Sequence, residues 1–462
     1  MHELIEKLRS FNNEHLSTSA SLVLSFLCVI AIGTLFLSLP VTHAEGAEVT
    51  VLDALFTATS STCVTGLLTV TCNSSFNFFG QVIILLMIQI GGLGLMTFVA
   101  LFMLSMKKKL AFTEVKILKD GLNKADYGNV GDYIIKIVNF TLILELIGFL
   151  ALLPVLYDGS AYSIFSSLFL SISSFCNAGI DTLGSTSLAA YDTNFVVNFV
   201  VSSLIIAGGL GFAVWFDLVS NLRASKKNGF DYRHFWSLLS VHSRIVLIMT
   251  LALIVTAGVL ILGFEWNNTL ATYNIFDKLQ AAYFNSVTLR TAGFYTINYG
   301  ALRAQTKILM IVFMVIGASP GGTGGGFKTT TCFLLVYAII CQFKGEEEMT
   351  VFKRHITKGN IIRAAILIGI AVMLLVIAEI LLIGFDGGID ELDLLFEAAS
   401  AMGTVGLSTG ITAALSTGSK LVIIILMFLG RLGPITVALA LKKKIKHQLH
   451  TIKYPVTDII VG

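Results

Sequence analysis

Thr62-Cys63-Val64-Thr65-Gly66 closes a run of small residues with a glycine, and the chain makes the same move three more times. Phe175-Cys176-Asn177-Ala178-Gly179, Leu289-Arg290-Thr291-Ala292-Gly293 and Met402-Gly403-Thr404-Val405-Gly406 follow, the four glycines being 113, 114 and 113 residues apart. Ten residues ahead of each glycine stands an aromatic: Phe56, Phe169, Tyr283 and Phe396. A second glycine signal comes 24 to 29 residues later, at Gly91-Gly92-Leu93-Gly94, Gly208-Gly209-Leu210-Gly211, Gly317 and onward, and Gly430-Arg431-Leu432-Gly433. A period this constant means one structural unit used four times. Four units around an axis set four backbone turns opposite one another, which is how a cation filter is built.

Outward from these turns, the composition is that of a membrane protein. The chain is 55% hydrophobic and 13% charged, against about 25% charged in a soluble domain. Eight apolar stretches are long enough to cross about 30 Å of hydrocarbon as helices: 18–40, 80–104, 134–156, 194–221, 243–263, 306–343 (interrupted), 361–384 and 420–441. The expected fold is an all-α polytopic membrane protein. Four tandem helix–pore-loop–helix repeats, with eight spans and four re-entrant pore helices, surround a pseudo-fourfold pore. The repeats cover 18–104, 134–221, 243–343 and 361–441, and a cytoplasmic tail covers 442–462.

Charge sets the orientation. Of 31 Lys and Arg, 23 fall at the N-terminus, in 105–133, 222–244 and 344–363, and from Lys442 onward. The intervening loops 41–52 and 385–393 carry acidic residues and no basic ones. The positive-inside rule therefore puts both termini in the cytoplasm, and the filter turns enter from the outer face. The first apolar run is too long for a signal-peptide core. The six cysteines lack metal-ligand spacing, so no zinc site or disulfide framework is expected, although Cys63 and Cys72 lie close enough in sequence to meet. No nucleophile, base or ligand cluster in the spans suggests an enzyme.

The segments before the filter glycines, Asp53 to Thr62, Ser166 to Phe175, Gln280 to Leu289 and Asp393 to Met402, would rise only about 15 Å as helices. Such helices dip into the bilayer and return, directing the negative ends of their dipoles toward its middle, where a cation is favoured. Irregular backbone at that depth is tolerated only where it is buried in protein or lines water. The second helix of repeat three reads Gly317-Ala318-Ser319-Pro320-Gly321-Gly322-Thr323-Gly324-Gly325-Gly326. At about 1 kcal/mol per glycine and about 3 per proline, this stretch cannot stay helical. The span is expected to break here around a mobile loop that acts as a gate, while the other three second helices continue normally. A phosphate-binding loop is a poor fit, because Phe327 separates the last glycine from Lys328 and no parallel-sheet pattern precedes it.

Val64-Thr65-Gly66 and Thr404-Val405-Gly406 look like degenerate potassium-channel filters, and four fused helix–pore–helix units resemble the Trk/Ktr/HKT superfamily of potassium transporters. The resemblance covers 18–441 and is sharpest for the Ktr-type membrane subunit, on the eight spans and on Arg290-Thr291-Ala292-Gly293-Phe294. It implies potassium uptake across the bacterial inner membrane by a homodimer. It further implies a cytoplasmic ring of nucleotide-binding regulatory subunits, responding to ATP/ADP or NAD, and sodium as an activating ion. No organic cofactor and no nucleic acid are expected. Carried over residue by residue, the filter is Val64, Thr65, Gly66, Asn177, Ala178, Gly179, Thr291, Ala292, Gly293, Thr404, Val405 and Gly406. The gate comprises Gly317, Ser319, Pro320, Gly321, Gly322, Thr323, Gly324, Gly325, Gly326 and Lys328, with Arg431 beneath the filter.

Arg431 is costly in an apolar helix and should face the interior. Glu145, Glu379 and Glu397 are further acidic residues in apolar segments. Arg290, beside filter three, needs a partner if buried, and Glu397 is one candidate. The runner-up function is a secondary transporter with discontinuous helices moving another cation or small substrate. That class is built on inverted repeats, whereas all four repeats here begin inside.

Overall fold

The computed structural model describes residues 18–94, 130–184, 186–227, 231–346 and 348–441. The expected end of the first repeat (95–104), much of the 105–133 basic loop, the N-terminal segment before Thr18 and the 442–462 tail lie outside these residues. Among the described residues the fold is helical apart from one short hairpin, β1 (Thr350–Val351) with β2 (Arg354–His355).

Among the described residues, four long helices are apolar enough to span a bilayer: α1 (Thr18–Leu37), α4 (Val130–Leu156), α8 (Val241–Glu265) and α12 (Lys358–Asp386). Their outward positions are large and apolar, among them Leu35, Leu146, Leu251 and Ile380, all more than half exposed. That is the surface a helix presents to hydrocarbon. Each long helix packs against the short helix that follows it: α2 (Val51–Cys63), α5 (Ala161–Cys176), α9 (Ile275–Thr288) and α13 (Glu391–Gly403).

At 13 to 16 residues the short helices rise about 20 to 24 Å, still too short to cross. They begin earlier than the ten-residue segments read from the sequence, because a capping residue stands further upstream in each case. Thr50 forms a reciprocal capping box with Asp53, while Ser160, Asn274 and Asp390 each accept a hydrogen bond from a backbone N–H in the first turn. Such caps fix where a helix starts.

The following helices are α3 (Phe78–Leu93), α6 (Phe195–Gly209), α10 (Ala304–Val315) and α14 (Thr417–Leu432). Each packs against the short helix of the next unit, α3 on α5, α6 on α9, α10 on α13, and α14 returns to α2. The chain thus closes into a ring. Two lysines fasten it: Lys307 on α10 binds Asp393 of α13 at 2.6 Å, and Lys420 on α14 lies 3.9 Å from Asp53 of α2.

The expectation that only the third unit's second helix breaks is corrected. The second unit's helix also stops, at Gly209, and resumes as α7 (Phe212–Lys227) after a 96° bend. The fourth stops at Leu432 and resumes as α15 (Pro434–Leu441). The hinge residues Gly211 and Gly433 have φ of +91° and +82°, and Gly94, which ends α3, has +82°. This left-handed conformation interrupts a right-handed helix, and glycine adopts it without a Cβ penalty. The third unit has the longest break, between α10 and α11 (Thr329–Phe343).

Candidate functional site

Each short helix ends in the same backbone device. Val64, Asn177, Thr291 and Thr404 have φ of 56°, 59°, 66° and 50°. Two residues later come Gly66, Gly179, Gly293 and Gly406, at 101°, 67°, 81° and 91°. The residue between has the ordinary negative φ, so the hand of the backbone alternates and the peptide planes cannot follow a helix or a strand. Non-glycine residues seldom occupy this region, and four at equivalent positions form a pattern rather than an accident.

The four glycines meet. A methyl group built on Gly66 would fall 3.2 Å from the Cα atoms of both Gly179 and Gly406, and one on Gly293 would fall 3.0 Å from that of Gly179 and 3.3 Å from that of Gly406. The carbonyl preceding each glycine lies against a neighbour. Ala178 O is 2.7 Å from the site of a Gly66 Cβ, Ala292 O is 2.6 Å from that of Gly179, and Val405 O is 2.7 Å from that of Gly293. Thr65 O closes the circle against Gly406. Glycine is required because any Cβ would strike a neighbouring carbonyl.

Hydroxyls of the short helices brace the turns from behind. Ser60 accepts from Gly66 N at 3.0 Å, and Ser400 from Gly406 N at 3.1 Å. Ser173 donates to Ile180 O at 2.6 Å. The third unit has Val287 at this position and is braced by Thr288, which donates to Phe294 O at 2.6 Å. On one side the glycines open on a vestibule of about 220 Å³, lined by Leu68, Asp181, Tyr295, Ser408 and Thr412 among others. Burial pushes the Asp181 carboxyl up to about 6 against the hydrogen bond from Leu183 N, which lowers it.

On the other side sits the glycine-rich loop. Ser319 N donates to Gly209 O at 2.9 Å, Thr323 N to Gly208 O at 3.1 Å, and Phe212 N to Gly321 O at 3.1 Å. These three bonds dock the loop onto carbonyls and an N–H that the break between α6 and α7 leaves free. Gly317 packs on Gly325 O, Gly322 on the Gly208 and Gly209 carbonyls, Gly324 on the Thr291 side chain, and Gly325 on that of Thr404. Pro320 and Gly326 complete the loop: Pro320 O lies against Gly211 and Gly326 against Gly403 O. The loop therefore presses directly on two of the left-handed turns. Lys328 returns over it, donating to Gly324 O at 2.9 Å. Arg431 donates to the carbonyls of Thr323 and of Gly91. One guanidinium thus ties the loop, α14 and the end of α3 together. Arg431 and Lys328 share a cavity of about 140 Å³.

The proposed Arg290–Glu397 pair is not formed. Glu397 accepts from Ser408 and from Thr412 at 3.1 Å, serving the fourth turn alone. Arg290 is 4% exposed, and all three guanidinium nitrogens lack hydrogen-bond partners among the described residues. Glu145 accepts from Gln89 at 3.3 Å and takes a weak contact from the Cys176 thiol, so it backs the end of α5 rather than balancing a cation. Glu379 Oε2 is without a partner among the described residues. All six cysteines are free thiols, Cys63 and Cys72 included. Sequence reasoning missed the Asn177 side chain, which donates to Arg290 O at 3.1 Å. Its signal was an amide at a position where the other units carry Val or Thr.

Compared with known proteins, the chain matches the family of cation transport proteins described as TrkH over residues 4–449. It is 38% identical to the potassium/sodium uptake protein NtpJ of Enterococcus hirae over 457 residues, covering 97% of this chain and 98% of that protein. It is 35% identical to the Ktr system potassium uptake protein B of Bacillus subtilis, covering 96% of each. Its fold is similar to the crystal structure of the potassium transporter TrkH from Vibrio parahaemolyticus, with a TM-score of 0.69 at 18% identity over 91% of this chain and 83% of that one.

Proposed function

Since the chain belongs to the TrkH family of cation transport proteins and is a multi-pass membrane protein, we propose that it takes up potassium through a short filter at its four glycine turns. The convergence of Thr65, Ala178, Ala292 and Val405 carbonyls on one ring of glycines carries this reading. Carbonyl oxygens in that arrangement replace the water of a dehydrated cation. The negative ends of four helix dipoles favour positive charge at the same point. The eight-span, four-repeat architecture and the repeat bounds read from the sequence belong to the same proposal, with each second span made of two pieces.

The loop from Gly317 to Gly326, with Lys328 and Arg431, is the gate in this reading. It seats under the filter, and the Arg431 guanidinium there opposes a potassium ion until loop and arginine move. Both termini are cytoplasmic, the membrane is the bacterial plasma membrane, and the functional form is a homodimer on a ring of nucleotide-binding subunits sensing ATP/ADP or NAD. Sodium stimulation draws support from the name of the Enterococcus relative, a potassium/sodium uptake protein. The test is rubidium uptake into liposomes holding the purified chain, with and without sodium. Saturable uptake in which potassium competes is expected, and transport of sodium alone with no potassium competition would overturn the reading.

A further inference from the structure

Val64, Thr291 and Thr404 hold three of the four left-handed filter positions, and Asn177 holds the fourth. Asn177 is fully buried, and its amide reaches out of its own unit. Nδ2 donates to the Arg290 carbonyl at 3.1 Å and lies 3.4 Å from the Thr291 hydroxyl. Oδ1 lies 3.4 Å from the Thr323 hydroxyl, which donates to Phe175 O, in the last turn of α5, at 3.0 Å. Thr323 is also the loop residue whose carbonyl receives Arg431. One gate-loop residue thus touches the arginine, the end of the second pore helix and a filter amide.

The third turn is where such an amide has leverage. It lacks the serine strut of the other units, since Val287 stands there, and the Arg290 side chain has no hydrogen-bond partner among the described residues to anchor it. Its backbone is held by Thr288 from one side and by Asn177 from the other.

We propose that Asn177 is a positioning residue that links ion discrimination to the state of the gate. With the loop seated, Thr323 holds the end of α5 and the Asn177 amide, and that amide holds the third filter turn. With the loop withdrawn, the amide loses its contact on the gate side and the third turn relaxes. The filter then discriminates between potassium and sodium less well when the gate contact is missing, although no filter residue has changed. The inference rests on reading the four turns as a potassium filter.

Potassium and sodium uptake are to be compared in liposomes holding the wild type, Thr323→Val, Thr323→Ser, Asn177→Gly and the Thr323→Val/Asn177→Gly double variant. Valine keeps the threonine shape without its hydroxyl, and glycine tolerates the left-handed φ of residue 177. The potassium-to-sodium uptake ratio should fall about two- to tenfold in Thr323→Val and in Asn177→Gly, as for loss of one neutral hydrogen bond. Thr323→Ser should keep the wild-type ratio, and the double variant should match Asn177→Gly alone. Wild type without potassium uptake would sink the filter reading and this inference with it. Wild-type uptake with an unmoved ratio in the two single variants, or additive effects in the double variant, would overturn the inference alone. A Thr323→Val variant that raises only the maximal rate would do the same, leaving Thr323 a latch.

Discussion

At the scale of single residues, the ring of turns is held by what the glycines lack. A side chain at Gly66 would stand 2.7 Å from Ala178 O, closer than a real Cβ contact allows, on a backbone whose φ of +101° already disfavours it. Gly66→Ser should displace that carbonyl and raise sodium uptake relative to potassium; an unchanged ratio in folded protein would remove Gly66 from the filter. Away from the axis, Lys307 is buried and its partner is Asp393. Asp393→Asn leaves that ammonium without its counter-charge. It should destabilise the protein, toward the lower end of the about 3–5 kcal/mol seen when buried pairs are broken, because Asp393 is partly exposed. A thermal unfolding midpoint in detergent checks this, and an unchanged midpoint would make the pair ornamental.

At the scale of elements, the loop between α10 and α11 is held by backbone bonds to α6 and by Arg431. Deleting Gly321 to Gly325 should raise the maximal rate of potassium uptake, and Arg431→Ala should do so more modestly, because the loop itself stays in place. Loss of uptake in membrane-inserted, intact protein would make the loop a support and not a gate. The four turns and this loop could be read from the sequence because their signals are compositional: a glycine at constant period, and six glycines with a proline in ten residues. The breaks at Gly211 and Gly433 carry a weaker signal. A lone glycine in an apolar run is also tolerated inside a helix, and what makes these hinges is the docked loop in one case and Pro434 after Gly433 in the other. The Arg290–Glu397 pairing fails for a related reason: the repeat puts Glu397 in the next short helix, but hydroxyls from its own turn, Ser408 and Thr412, satisfy it first.

At the scale of the whole molecule, orientation and closure both matter. Cysteines introduced at Glu48 and Asp390 should react with an impermeant thiol reagent applied to intact cells, and one at Lys344 should not; labelling at 344 would invert the topology. Closure has a consequence for how the protein is made. The helix that seals α2 is α14, and about three quarters of the chain separates them. The first short helix to leave the ribosome must therefore wait, with one flank uncovered, for nearly the last helix to be inserted. No earlier stage of synthesis contains a complete ring. Residues 1–343 expressed alone should carry no potassium current, and co-expression with 344–462 should restore it. On the proposed reading, an unfinished copy cannot leak ions, because the ring that would carry them is not yet closed.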